Sequence, residues 1–356
     1  MTKVSIVIPT YNAAPYLEAA IRSVLGQSFK DWELIIVDDG STDESREVLD
    51  SHAARDARIR CVRQNHQGPG VARNRGLAEA SGRYVAFLDA DDRLAADDVL
   101  LEAVRAMEGL DCDCLLMNAQ AMHSDGSDGD ILPWCLRREL IGNRKRFAPK
   151  ELGDGLFYAM GTVPWAKLFR RDFLLTSRLA FPPLSRSEDF PFVEMAVGLA
   201  SVVGVLDLPF VSHRIATPGS LEQTKASDPI AFSKAEKWLW RRIRSLPDHA
   251  RLLRTAQARA MLRLDYNLRA TASEPGYSNV AMEARSIRCR IRVSPDGTIP
   301  GYGSLKARVD KALKDSIGGW RATIFRLRVC LADNGWRYTL RRIFFGKLKE
   351  QVRADV

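Results

Sequence analysis

The chain of 356 residues has no apolar run near the roughly 18 residues that a membrane-crossing helix needs. Its most apolar window, 195–206, is interrupted by Gly198, Ser201 and Gly204, which excludes an integral membrane protein built on such helices. The amino terminus offers only a brief apolar stretch, 4–9, too short for a signal peptide, so the expected compartment is the cytosol. Cysteine is sparse: the six residues 61, 112, 114, 135, 289 and 330 are scattered. Cys112-x-Cys114 has the wrong spacing for a zinc knuckle and no second Cys/His pair completes one, so these read as incidental thiols. Two nucleotide loops are also missing. Gly68-Pro69-Gly70 is neither a G-x-G-x-x-G loop after a first strand nor a Walker loop, which excludes dinucleotide and P-loop chemistry. There is no internal repeat.

What is present is an ordinary globular composition, 46% hydrophobic and 27% charged, with a net charge of +9. The charge is unevenly placed. Residues 231–356 hold 27 Lys+Arg against 11 Asp+Glu, leaving 26 against 33 in residues 1–230. An acidic body with a basic tail is not a uniformly basic nucleic-acid binder, and no nucleic-acid module is recognisable. The length exceeds one typical domain. The expected division is a body over residues 1–228 and a helical basic region over 229–356.

Over the first 120 residues, strand and helix patterns alternate. Strands are expected at 4–9, 32–37, 59–62, 84–88 and 114–117, and helices at 15–25, about 43–52, 70–80 and 96–107. This order predicts an α/β fold with a mostly parallel sheet covered on both faces. Beyond 120 the pattern weakens: a helix is expected from 188 to about 199, a strand near 202–208, and a Gly/Pro/Ser-rich linker over 272–304.

In parallel sheets, ligands sit beyond the carboxyl ends of the strands. Polar clusters fall at those ends: Thr10-Tyr11-Asn12, Asp38-Asp39-Gly40-Ser41, and Asp89-Ala90-Asp91-Asp92. Asp89-x-Asp91-Asp92 suits a hard divalent cation bridging a diphosphate, although a solvated acidic turn has the same letters. Asp38 or Asp39 could accept from a nucleobase N–H or a ribose hydroxyl, and Tyr11 could stack on a base or simply be half-buried. Arg73 could reach a phosphate or hold the acidic cluster. Glu188-Asp189 reads as a catalytic acid pair or as acids favoured at a helix amino terminus. Trp134 and Trp165 suit core packing better than sugar stacking, and His52, His66, His123 and His249 carry no metal spacing.

Four segments in order resemble the family 2 glycosyltransferases: Val4-Ser-Ile-Val-Ile-Pro-Thr-Tyr-Asn12, Val37-Asp-Asp-Gly-Ser-Thr-Asp43, Ala72-Arg-Asn-Arg-Gly76 and Phe87-Leu-Asp-Ala-Asp-Asp92. The resemblance continues through 164–172, Ser187-Glu-Asp189 and His213-Arg214, covers about residues 3–225, and omits the tail. It implies a GT-A nucleotide-sugar-binding fold. It also implies that Asp39 holds the base, that Thr10 and Tyr11 line the nucleotide pocket, and that Asp89 faces the donor ribose or sugar. Asp91 would coordinate Mg²⁺ or Mn²⁺, and Asp189, or Glu188, would be the general base. Arg214 would contact the diphosphate, while His213 stands where the family commonly has Tyr. The implied activity is inverting hexosyl transfer from a nucleotide sugar, expected to be a UDP-sugar, to a saccharide or polyprenol-linked saccharide in surface or exopolysaccharide synthesis. The alternatives are a non-catalytic nucleotide-sugar-binding module and a sugar-nucleotide pyrophosphorylase. The latter needs a Gly-rich amino-terminal loop that 4–12 does not supply.

The tail interleaves cations with Trp238, Trp240, Trp336, Tyr338, Phe344 and Phe345. This pattern suits peripheral attachment to an anionic membrane surface, or an ordinary solvated basic face.

Overall fold

A computed structural model describes residues 3–215, 228–272, 277–291 and 299–316. The chain forms two compact units: Met1–Arg259 with Ser294–Pro300, and Ala260–Val293 with Gly301–Val356.

The first unit opens with β1 (Val4–Thr10), α1 (Ala14–Leu25), β2 (Trp32–Asp38), α2 (Ser45–Arg55), β3 (Ile59–Arg63), α3 (Pro69–Glu79) and β4 (Tyr84–Phe87). β5 (Arg93–Leu94), α4 (Val99–Leu110), β6 (Cys114–Met122), β7 (Asp128–Ile131), α5 (Arg138–Ile141) and β8 (Arg146–Phe147) follow. A 3₁₀ segment, Pro149–Tyr158, leads to β9 (Lys167–Arg170), α6 (Arg171–Thr176), α7 (Asp189–Leu199), β10 (Val203–Arg214) and α8 (Ala231–Arg244). α9 (His249–Ala270) spans the division between the units, and α10 (Tyr277–Arg290) and α11 (Tyr302–Asp315) lie in the second.

The sheet order is β3-β2-β1-β4-β9-β6-β10-β5. β3, β2, β1 and β4 pair in parallel, and β10 pairs in parallel with β6. β9 runs antiparallel between β4 and β6. The α/β reading therefore holds, but the sheet is mixed: β5, β7 and β8 also pair antiparallel, so only β1–β4, β6 and β10 share one direction, and β9 is inserted against them. That strand lies within 165–175, where the alternation of Lys167, Leu168 and Phe169 is too short to read from sequence. The supposed linker 272–304 contains α10, whose face Val280, Ala281, Ala284 and Ile287 is buried at helical spacing. Its Gly and Pro residues flank the helix rather than interrupt it.

Register places the polar clusters together. Thr10 of β1 sits beside Asp38 of β2, and Val7 beside Phe87, so the loops after β1, β2 and β4 leave one edge of the sheet. One face packs Ile6, Ile8, Leu34 and Ile36 against Leu17 and Ile21 of α1 and Leu100 and Val104 of α4. On α3, an added Cβ at Gly76 would fall 2.2 Å from Val7 Cγ1, so the helix is seated directly on β1. Phe87, Phe169, Phe181 and Phe192 form an aromatic cluster beside it, with Phe181 and Phe192 stacked at 3.9 Å.

Among the described residues, no helix is long and apolar enough to cross a membrane. Trp240 is buried on α8 with Phe232, Leu239 and Ile243, so its indole is committed to packing rather than to a surface. Trp336, Tyr338, Phe344 and Phe345 lie outside the described residues.

Candidate active site

Three groups of side chains meet at the carboxyl edge of the sheet. The first surrounds Asp39, which follows β2 and is buried. Its Oδ1 accepts from Gln64 Nε2 at 2.7 Å and Gln67 N at 2.9 Å, and its Oδ2 from Gly68 N at 2.8 Å. His66 Nδ1 lies 2.9 Å from Oδ2, and the His66 ring rests on Tyr11 at 4.1 Å. Tyr11 is 47% exposed. Asn12 holds a positive φ of 48°, and its Oδ1 accepts from Thr42 N, pinning the loop after β1 to the loop after β2. Thr10 and Asp38 are buried beneath, each with one side-chain oxygen, Oγ1 and Oδ2, lacking a hydrogen-bond partner in the protein.

The second group is built on Arg73, which α3 carries into the interior at 3% exposure. Its Nη1 donates to Glu188 Oε1 and Asp189 Oδ1, both at 2.9 Å, and Nη2 donates to Asp89 Oδ1 at 2.7 Å. Burial opposes the guanidinium charge, but Asp189, Asp89 and Glu188 outweigh it and hold Arg73 protonated. Glu188 is buried, with its Cγ 3.0 Å from where a Cβ on Gly70 would stand. Asp189 begins α7 and keeps 28% of its side chain exposed. Burial raises its pKa well above the usual range, and Glu188 and Asp89 add repulsion against the pull of Arg73. Ser187, just before the pair, sits at φ 62°, a conformation costly for a residue with a Cβ and typical of positions where geometry is imposed.

The third group joins the acidic turn to β10. Asp92 is buried and accepts from Arg214 N at 2.8 Å and His213 Nδ1 at 2.9 Å. His213 stacks on Trp165 at 4.7 Å, and Trp134, 37% exposed, meets Trp165 edge-on. Burial works against charge on His213, but the hydrogen bond to Asp92 and the carboxylates of Asp92, Asp89 and Asp91 push it up to about 9. Burial pulls Asp92 toward its neutral form, whereas both N–H donors favour the imidazolium–carboxylate pair. Arg214 Nε donates to Asp91 O at 3.2 Å, bracing the turn.

Among the described residues, no three His, Cys, Asp or Glu side chains gather closely enough to enclose a metal ion. Asp91 with its acidic neighbours still fits a hard cation of the Mg²⁺ or Mn²⁺ type, which takes one or two carboxylates and completes its shell with ligand oxygens and water.

A family model described as glycosyl transferase family 2 matches residues 5–174. That stretch is a family 2 glycosyl transferase domain. Along the chain, the similarity extends to glycosyltransferase EpsJ of Bacillus subtilis, 33% identical over 225 residues, 62% of this chain and 63% of that protein. The glycosyltransferase EpsH of the same organism is 30% identical over 215 residues, 60% of each chain, so these relatives are matched over about three fifths of their length. A Campylobacter jejuni GalNAc(5)-diNAcBac-PP-undecaprenol beta-1,3-glucosyltransferase is 41% identical over 111 residues, 31% of this chain and 36% of that one. The fold is also that of Staphylococcus aureus TarS 1-349 in its complex with UDP-GlcNAc, at TM-score 0.66, 18% identity, and coverage of 94% of this chain and 92% of that one. The family 2 domain thus contains every expected site residue up to Asp91, while Glu188, Asp189 and Arg214 come from beyond it.

One participant has no signal in the sequence pattern. His66 reads as an isolated polar residue; only its place in the loop after a strand end marks it. Lys167 is buried, donating to Gly161 O at 2.8 Å and Val163 O at 2.7 Å, and burial pushes it down to about 8 although Cys114, Cys135 and Asp189 pull the other way.

Proposed function

We propose that the chain is an inverting glycosyltransferase, with residues 1–228 as its catalytic body and 229–356 as a helical basic region. It moves a hexosyl group from a nucleotide diphosphate sugar to a hydroxyl of a saccharide or polyprenol-linked saccharide, in surface or exopolysaccharide synthesis. The observation that carries this reading is the convergence of Asp89, Glu188 and Asp189 on Arg73 at the sheet edge where Tyr11, Asp39 and the acidic turn also meet. A UDP-sugar is the favoured donor, in keeping with the UDP-GlcNAc held by TarS.

In this reading Tyr11 supports the base face and Asp39, with Asp38 and Thr10 beneath, receives the base and ribose. Asp89 faces the donor sugar or ribose. Asp91 would hold Mg²⁺ or Mn²⁺; PcManGT of Pyrobaculum calidifontis, at TM-score 0.52, was solved with GDP-Man and Mn²⁺. When bound, such an ion neutralises charge on the diphosphate. Asp189 accepts the proton of the acceptor hydroxyl as that oxygen bonds to the anomeric carbon. The bond from that carbon to the phosphate oxygen breaks with its electron pair staying on the diphosphate, and configuration inverts. Arg73 fixes Asp189 and Asp89 relative to each other, and Glu188 balances its charge from the buried side. Arg214 and the His213 imidazolium would supply positive charge to stabilise the departing diphosphate. Peripheral attachment at the cytoplasmic membrane face would bring the site to a lipid-linked acceptor.

The decisive experiment is a donor screen. UDP- and GDP-sugars are offered with Mn²⁺ or Mg²⁺ and saccharide or polyprenol-linked acceptors, and nucleotide diphosphate release is measured. Release with acceptor by the wild type and not by Asp189→Asn supports the proposal. Nucleotide binding without release under every combination favours the binding-module alternative.

A further inference from the structure

The base end of the site is already occupied by the chain itself. An ionised carboxylate offers about four acceptor positions. Asp39 spends them on Gln64 Nε2, Gln67 N, Gly68 N and His66 Nδ1. Two of these donors are backbone groups of the loop after β3 and the third, Gln64, is partly buried. His66 differs: its side chain is 55% exposed. Its Nδ1 faces two acceptors, Asp39 Oδ2 at 2.9 Å and Asp39 O at 3.3 Å, so that nitrogen carries the hydrogen. The ring lies over Tyr11 with planes 30° apart. Gly40, at φ 81°, lets the loop close in, since a Cβ there would stand 3.0 Å from His66 N.

His66 therefore brings Asp39 an N–H and Tyr11 a flat ring. A uracil or guanine base, with a ring N–H beside a carbonyl, would bring the same two groups. We propose that the His66 imidazole is a displaceable occupant of the nucleobase subsite, which must swing into solvent before the donor's base can reach Asp39 and Tyr11. The inference rests on the function proposed above. It makes His66 a residue that sets donor affinity by competition, not by contact. Of the four donors, His66 is the one that can leave without dismantling the loop.

Calorimetric titration of the full chain with UDP, GDP and pyrophosphate, each with Mn²⁺, tests it on the wild type, His66→Ala and Tyr11→Ala. His66→Ala is expected to tighten UDP or GDP by about 3- to 10-fold, the factor for an open form that is roughly a tenth to a third of the population. Pyrophosphate, which has no base, should bind both proteins equally. A thermal melt confirms that the exposed substitution leaves the fold intact. If His66→Ala leaves nucleotide affinity unchanged or weaker while Tyr11→Ala still reduces it, the occupant role is wrong and the base subsite stands. If neither nucleotide binds, or binding ignores Tyr11→Ala, the base subsite itself is misplaced and the inference falls with it.

Discussion

Arg73 Nη1 lies 2.9 Å from Asp189 Oδ1, joining residues 116 positions apart in the chain. The same guanidinium holds Glu188 and Asp89, so one buried cation organises three acids. Arg73→Ala would leave Glu188 buried with no opposing charge and is expected to cost about 3–5 kcal/mol of stability. Arg73→Lys keeps the charge but not the planar fork, and should fall between the two. Urea unfolding of the three proteins checks the order. Equal midpoints for Arg73→Ala and the wild type would mean that the cluster is not a structural keystone.

The same cluster makes a pH prediction. Burial, then repulsion by Glu188 and Asp89, raises Asp189 above the usual carboxylate range, and Arg73 restrains the rise. In the proposed role of general base Asp189 works only when ionised, so transfer should increase with pH through that raised value and fail on the acid side of it. Removing restraint should move the limb upward: Arg73→Lys is expected to displace the acidic limb of kcat/KM to higher pH. An acidic limb at an ordinary aspartate value in both proteins would assign the proton to another group.

Much of the sheet edge was legible in the sequence because strand and ligand loop adjoin there. Asp38-Asp39-Gly40 follows a continuous apolar strand, and the parallel pairing of Thr10 with Asp38 follows from the alternation of strand and helix. The closing half of the site was not legible in that way. Glu188 and Asp189 reach Arg73 only through the antiparallel insertion of β9 and the turn at Ser187, neither of which leaves a periodic trace. The family resemblance named Asp189, but its hydrogen bonds with Arg73 belong to tertiary structure. His66 was opaque for a related reason: a single polar residue reads as solvated until its partners are known. In α8, sequence could not tell an outward Trp from an inward one, and Trp240 proved to be inward.

Gly76 tests how Arg73 is placed. An alanine methyl there would meet Val7 Cγ1 at 2.2 Å and Cγ2 at 3.2 Å, on a β-branched side chain buried in β1. Val7 cannot rotate away cheaply, so α3 must lift from the sheet. Gly76→Ala should cost about 1–3 kcal/mol by overpacking, despite alanine's better helix propensity. It should also lower transfer activity more than nucleotide affinity, because Arg73 lies one turn earlier on the same helix. A stabilised Gly76→Ala protein would show that the contact relaxes easily.

Glu33 ties the strands that carry the loops. Its Oε1 accepts from Ser5 Oγ of β1 at 2.6 Å, Ser81 N at 2.7 Å and Ser81 Oγ at 2.8 Å, just before β4. Burial favours the neutral acid, but the hydrogen bonds from Ser5 and Ser81, with the charge of Arg60, outweigh it and lower the pKa. A lowered folded value means that Glu33 binds its proton more weakly when folded. Its contribution is therefore complete above the unfolded value of about 4.3 and disappears as pH falls through the folded value. Glu33→Gln keeps an acceptor but loses the charge, and should cost about 1–2 kcal/mol at pH 7. The difference between the two proteins in urea midpoint should shrink steadily from pH 5 to pH 3. A gap that stays constant across that range would assign the loss to packing of the amide instead of to the carboxylate's charge.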